Sequence, residues 1–89
     1  MSTNPPEPAR TPKRRITPVS WRRLRCVFEK DGFAFRRQEG DHLIFAKAGC
    51  LRPIVIPTYD SIDVEIIKSN MRTARMSRHT YFELLDLCR

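Results

Sequence analysis

The stretch that decides the fold is Arg36-Arg37-Gln38-Glu39-Gly40-Asp41-His42-Leu43-Ile44-Phe45, which joins a basic segment to an apolar one. Strand-like residues on both sides of a glycine-containing turn are typical of a β-hairpin. Glu39-Gly40-Asp41 is then the tight turn, and His42 opens the second strand of the hairpin. The sequence therefore predicts that a titratable imidazole lies close to arginine side chains.

The segments around this hairpin have their own periodicity. Helical spacing of apolar residues, with Ser20 as an N-cap and Gly32 as a stop, predicts a first helix from Ser20 to Asp31. A second helix is expected from Ser61 to Ala74, and Ser77 should cap a last helix. The predicted strands are 33–38, 42–47 and 51–57, and the predicted last helix is 78–87.

The order of these elements predicts an α+β fold. It is α-β-β-β-α with a short extra C-terminal helix, so a three-stranded antiparallel sheet should carry its helices on one face. Because strand residues alternate between faces, the bulkier set should point towards the helices. That set is Phe33, Phe35, Leu43, Phe45, Ile54 and Ile56, and the open face should hold Ala34, Arg36, Gln38, His42, Ile44, Ala46 and Val55.

Composition limits the size of the domain and the kind of partner. The chain has 89 residues and a net charge of +7, so it holds one domain with a basic surface that suits nucleic acid or an acidic partner. Residues 1–16 are rich in proline and arginine and are expected to form a disordered tail. Residues 17–89 should form the folded domain.

The chain has three cysteines, and their placement bears on its environment. Cys26, Cys50 and Cys88 are odd in number and far apart, with no zinc-site spacing, and they are expected to be reduced thiols. No apolar run approaches the ~20 residues of a membrane span, and no secretory signal is apparent. A cytoplasmic protein without contact to a membrane is therefore expected.

Four phrases of the sequence, in order, resemble one known family. They are Phe28-Glu29-Lys30-Asp31-Gly32-Phe33, the segment from Arg37 to Phe45, Val55-Ile56-Pro57, and the segment from Met76 to Leu85. Together they resemble the HicA (YcfA-like) toxins from about Ser20 to the C-terminus. Asp41 departs from the family, which has serine there, and the N-terminal tail is longer than is usual.

The resemblance implies a double-stranded-RNA-binding-domain-like fold and a function. The function would be that of an mRNA interferase, the ribonuclease toxin of a type II toxin–antitoxin pair, whose HicB antitoxin covers the active surface. The position of the family's catalytic histidine is His42 here. Arg36, Arg37, Lys47 and Arg52 are the candidate RNA-binding residues, Arg36 being favoured because Arg37 should face away in a regular strand.

Other functions compatible with the sequence are a non-catalytic RNA-binding module of the same fold and a protein-interaction domain with an acidic partner. Neither a metal nor a cofactor is expected, because RNA carries its own nucleophile in the 2′-hydroxyl. His42 distinguishes the enzyme from the two binding functions. His79 is expected to be a surface residue. The cluster Arg72, Arg75 and Arg78 either complements a helix dipole or binds RNA phosphate.

Overall fold

The structure is a computed structural model that describes residues 14–89. It is a small α+β domain of three helices and one three-stranded antiparallel sheet. The strand order is β1-β2-β3, which makes β2 the central strand and leaves β1 and β3 at the edges. The elements are α1 (Trp21–Lys30), β1 (Ala34–Glu39), β2 (His42–Ala46), β3 (Ile54–Pro57), α2 (Val64–Ala74) and α3 (Arg78–Leu87).

The predicted helices are confirmed, and two of them begin at the predicted caps. The Ser20 hydroxyl accepts a hydrogen bond from the amide of Arg23, and the Ser77 hydroxyl accepts one from Thr80. The second helix begins later than predicted, at Val64 rather than at residue 61. Ile62 is not helical because its amide donates to the carbonyl of Val19 at 2.7 Å, which holds it in a β-bridge.

The third strand is shorter than predicted, and its outer edge is closed by a side chain. The amide of Asn70 on α2 accepts from the backbone N–H of Val55 at 3.4 Å and donates to the carbonyl of Val55 at 2.9 Å. The N–H and C=O of Val55 point away from β2. Because this direction alternates along a strand, the backbone groups of Pro57, two residues later, also point outward. The missing N–H of Pro57 therefore costs no ladder hydrogen bond, which explains a proline at this edge.

The core lies on one side of the sheet. Leu43, Phe45, Ile54 and Ile56 are buried there, as predicted, against residues of all three helices. Phe35 stacks edge-on against Phe45, but 45% of it remains exposed because β1 is at the edge of the sheet. The helical residues of this core include Leu24, Val27, Phe28, Ile67, Met71, Tyr81 and Leu85.

The prediction of three reduced thiols is wrong for two of the cysteines. Cys26 on α1 and Cys88 after α3 form a disulfide that spans 62 positions of the sequence, whereas Cys50 is free. Arg23 strengthens the same contact, since its guanidinium donates to the carbonyls of Leu85 and Cys88. The sequence did not predict this pairing, because the two cysteines are far apart in the chain and only the packing of α1 against α3 brings them together.

The segment before α1 packs against the domain. Ile16 is buried in the core, and Val19 forms a bridge with Ile62. Arg14 forms an ion pair with Asp86 at 2.8 Å, which lowers the pKa of that carboxyl, and its guanidinium lies over the ring of Phe82. The tail was predicted over residues 1–16, but residues 14–16 pack against the domain, because Ile16 is buried in its core. Residues 1–13 lie outside the described residues.

Two further features concern the helices. Arg75, which caps α2, has a left-handed backbone with φ 54° and ψ 41°, a conformation that costs a side-chain-bearing residue about 1–2 kcal/mol. It is the one residue other than glycine with positive φ within 14–89.

None of the helices in residues 14–89 is long and apolar enough to cross a bilayer.

The disulfide should make a large contribution to stability. Replacing Cys26 and Cys88 by alanine removes a cross-link over 62 positions, and we expect the free energy of unfolding to fall by about 4 kcal/mol. Chemical denaturation with and without a reductant measures the effect. The reductant should destabilise the parent protein and leave the double variant unchanged; an equal response of both would contradict the cross-link.

The Asn70 amide should be required at the edge of β3. Asn70→Leu leaves the N–H and C=O of Val55 without partners, so we expect a loss of about 2 kcal/mol in unfolding free energy. Ser69→Leu, at the exposed neighbouring position, is the matched control and should change stability by less than about 0.5 kcal/mol. Equal losses in the two variants would show that the helix surface, and not the amide pairing, is responsible.

Candidate active site

The turn between β1 and β2 places His42 opposite Glu39. Gly40 and Asp41 are the two loop residues, and Gly40 has φ 58°, as the first central position of a type II′ hairpin turn requires. The carbonyl of Asp41 accepts hydrogen bonds from the amide and the hydroxyl of Thr58. The start of β2 is thereby held between β1 and the residue that follows β3.

A β-bulge in β1 changes which arginine shares a face with His42. Phe35 pairs with Phe45, but the next pair is Arg37 with Ile44, so that Arg36 is an extra residue. Arg37 therefore lies opposite Ile44 on the open face, although a regular strand would turn it away. Both arginines are exposed. The sequence pattern gave no sign of the extra residue.

The same bulge moves Gln38 off the open face. Gln38 pairs with Leu43, whose side chain belongs to the helix-covered core, so the prediction that Gln38 shares a face with His42 is wrong. Its side chain donates to the carbonyl of Gly40 at 2.9 Å and so braces the turn. One inserted residue reverses the alternation of faces for the rest of the strand. This is why Arg37 and Gln38 lie on the faces opposite to those predicted.

His42 is exposed and has a carboxylate as its cross-strand neighbour. Glu39 and His42 are a direct pair, which places their Cβ atoms roughly 4.5–5.5 Å apart. Glu39 also accepts a hydrogen bond from Nε of Arg37 at 2.5 Å. An imidazole, a carboxylate and a guanidinium thus share one exposed end of the sheet. Sequence reasoning missed Glu39, although a two-residue turn always pairs the residues that flank it.

Lys47 and Arg52 do not join this group. Lys47 follows the last residue of β2, about 17 Å from His42 at the rise of a strand, and it forms an ion pair with Asp31 at 3.5 Å. Arg52 lies in the loop between β2 and β3, at the same far end of the sheet. Of the four predicted RNA-binding residues, Arg36 and Arg37 are therefore near His42, and the other two are not.

The apolar part of the open face is small. Ile44 is only 6% exposed, yet it is separate from the main core, and its neighbours across the strands are Arg37 and Val55. Val55 is 38% exposed. The arginine stems beside Ile44 are long enough to cover it. The face is thus a basic surface around a nearly covered apolar centre.

The remaining titratable groups are placed as follows. His79 is on the surface of α3, as predicted, with Glu83 at 3.6 Å. Among residues 14–89 no cluster of histidine, cysteine and carboxylate side chains has the arrangement of a metal site. Arg72 and Arg75 line a cleft together with Lys47 and Arg52, a grouping that the sequence alone did not reveal.

Comparison with known proteins adds no relative. No protein-family model matches the chain, and neither a curated protein nor a solved structure is significantly similar to it. The proposed chemistry of the site therefore rests on the geometry around His42 and on the resemblance of the sequence phrases.

Deleting one of the two arginines at the bulge should be tolerated. Removal of residue 36 or 37 gives the same chain, in which one arginine remains opposite Ile44 and every other pair of the ladder is kept. We expect the free energy of unfolding to change by no more than about 1 kcal/mol, measured by thermal unfolding. Deletion of Phe45, which has partners on both sides, is the control and should unfold the domain. A deletion at the bulge that is as damaging as the control would contradict the register.

Proposed function

We propose that this protein is a metal-independent endoribonuclease, the mRNA-cleaving toxin of a type II toxin–antitoxin pair. The observation that carries the proposal is the exposed His42 at the start of β2, next to Arg37 and the bulged Arg36. The sequence phrases that resemble HicA toxins place the catalytic histidine of that family at this position. The double-stranded-RNA-binding-domain-like version of the α+β fold belongs to the same proposal.

The proposed reaction uses the 2′-hydroxyl of the RNA as the nucleophile. His42 takes the proton of this hydroxyl while the oxygen forms a bond to the adjacent phosphorus. The bond between phosphorus and the 5′-oxygen breaks, the leaving oxygen is protonated, and a 2′,3′-cyclic phosphate remains. No metal or cofactor takes part in this scheme.

The charged neighbours have distinct roles in the proposal. Arg36 and Arg37 neutralise the phosphate and stabilise the charge that develops on it. Glu39 lies across the strand from His42, and its carboxylate is bonded to Arg37, so its proposed role is to hold that guanidinium beside the imidazole. The ion pair between Arg37 and Glu39 is exposed and weak, so a phosphate can replace the carboxylate as the partner of Arg37.

The proposed partner is a HicB-type antitoxin that covers the His42 face. Val55, exposed beside the nearly covered Ile44, offers an apolar contact, and the surrounding arginines suit an acidic partner. Covering this face would exclude RNA from His42. Action on mRNA implies a cytoplasmic location, where the disulfide between Cys26 and Cys88 would be exposed to reductants.

A non-catalytic RNA-binding module is the second candidate. The net charge of +7 favours it, because a basic surface by itself supplies sequence-independent affinity for RNA. This candidate requires no role for His42. The two functions therefore differ in what the loss of the imidazole does.

Loss of the imidazole should abolish cleavage and spare binding. With purified protein and RNA in the presence of EDTA, His42→Ala should lower the cleavage rate by roughly 10²–10⁴-fold, as expected for the loss of a general base. RNA affinity should change little, because the arginines that supply the phosphate contacts are unchanged in this variant. His79→Ala is the matched control, since that side chain is 82% exposed on α3, and it should cleave at the parental rate.

The other outcomes are equally decisive. If the parent protein binds RNA without cleaving it, the enzyme proposal is overturned and the binding module remains. If the parent and His42→Ala cleave equally, His42 is not the catalytic residue.

A further inference from the structure

A basic cleft lies at the end of the sheet that is remote from His42. It has a volume of about 630 Å³ and is formed by the loop between β2 and β3 and the last turn of α2. Its cations are Lys47, Arg52, Arg72 and Arg75, and no acidic residue lines it. The cleft therefore concentrates positive charge in a concave surface.

The cleft contains more positive charge than the ion pairs among residues 14–89 neutralise. Lys47 is paired with Asp31, but Arg52, Arg72 and Arg75 have no carboxylate within ion-pair distance among residues 14–89. The C-terminus of α2 supplies about half a negative charge through its dipole. Three arginines are more than this dipole requires, so complementing the dipole does not account for them.

The walls of the cleft are held together by specific contacts. The thiol of Cys50 donates to the carbonyl of Thr73 at 3.3 Å and so ties the loop to the end of α2. Asn70, one turn earlier, fixes α2 to the edge of β3. These bonds fix the relative position of the loop and the helix, so the cleft is formed before any ligand arrives.

Arg75 adds an independent indication. It stands at the left-handed cap of α2, where glycine is the residue without steric cost. Side chains in this conformation are strained, and strained backbone is concentrated at functional sites. The strain is understandable if the guanidinium at this position is needed for binding.

Behind Arg72 and Arg75 lies an apolar groove. Its volume is about 270 Å³, and its apolar residues are Ile16, Met71 and Met76. Lys68 and Arg78 extend the row of cations along this groove. Ile16, Met71 and Met76 are only 6–9% exposed, so the feature that suits the phosphates of a single-stranded nucleic acid is the row of cations along the groove.

We propose that the cleft formed by Arg52, Arg72 and Arg75 is a second RNA-binding site that holds phosphates of the RNA backbone outside the scissile position. This inference rests on the proposed function for the choice of RNA as the ligand. The cleft is about 17 Å from His42 along β2, so one RNA strand of several nucleotides can occupy both places. The site then supplies affinity, and His42 supplies chemistry.

The test is the salt dependence of RNA binding. The full chain carrying His42→Ala is titrated with a fluorescein-labelled single-stranded RNA at several salt concentrations, alone and with Arg72→Gln and Arg75→Gly added. Each lost phosphate contact should reduce the slope of log K against log salt by about 0.7, and the pair should lower the affinity roughly tenfold. The control pair, Arg22→Gln and Arg89→Gln, removes the same charge from exposed positions that do not line the cleft.

Thermal unfolding of Arg75→Gly separates binding from folding. Glycine relieves the left-handed strain, so its Tm should equal or exceed that of the parent while its RNA affinity falls. A lower Tm accompanying the loss of affinity would assign Arg75 to stability and overturn the proposal. An unchanged slope in the cleft variant, or an equal loss in the control pair, would also overturn it.

The result is separable from that of the cleavage assay. Cleavage that depends on His42, combined with unchanged binding in the cleft variant, would remove only the second site. Weakened binding in the cleft variant, without any cleavage by the parent protein, would remove only the enzyme and leave an RNA-binding module with this cleft as its site. If the parent protein does not bind RNA, both proposals fall.

Discussion

The alternation of side chains along the central strand β2 is the constraint on which the rest of the structure depends. Leu43 and Phe45 point into the core under the helices, and His42 and Ile44 point to the other face. Burying the first pair fixes the register with both neighbouring strands, because a shift by one residue would exchange the faces. The exposure of His42 is therefore a consequence of core packing and does not depend on the turn alone.

Contacts between distant parts of the chain hold the helices over this sheet. The disulfide from Cys26 to Cys88 and the hydrogen bonds from Arg23 join α1 to the end of α3, and Asn70 joins α2 to β3. A domain of this size buries a modest core. The disulfide and these hydrogen bonds therefore contribute a larger share of its stability than they would in a larger protein. They also leave the His42 face of the sheet uncovered.

The basic residues are divided between two ends of the sheet. Arg36 and Arg37 lie near the hairpin turn beside His42, and the three arginines of the cleft lie beyond the other end of β2. The net charge of the whole chain says nothing of this division. A linear polyanion can bind at both ends at once, whereas a small anionic metabolite would need only one. The arrangement thus fits a polymer better than a small ligand.

The sequence by itself determined the three helices, the three strands, the N-caps of α1 and α3 and the exposed position of His42, because these depend on local periodicity and turn residues. It placed Gln38 on the open face because nothing local reports a bulge. It also grouped Lys47 and Arg52 with His42, although the length of β2 separates them from it. Only the tertiary structure decided that Arg37 shares the face of His42, that Cys26 meets Cys88, and that Arg72 and Arg75 line a cleft with Arg52. Each of these depends on how remote segments pack, which local sequence patterns do not encode.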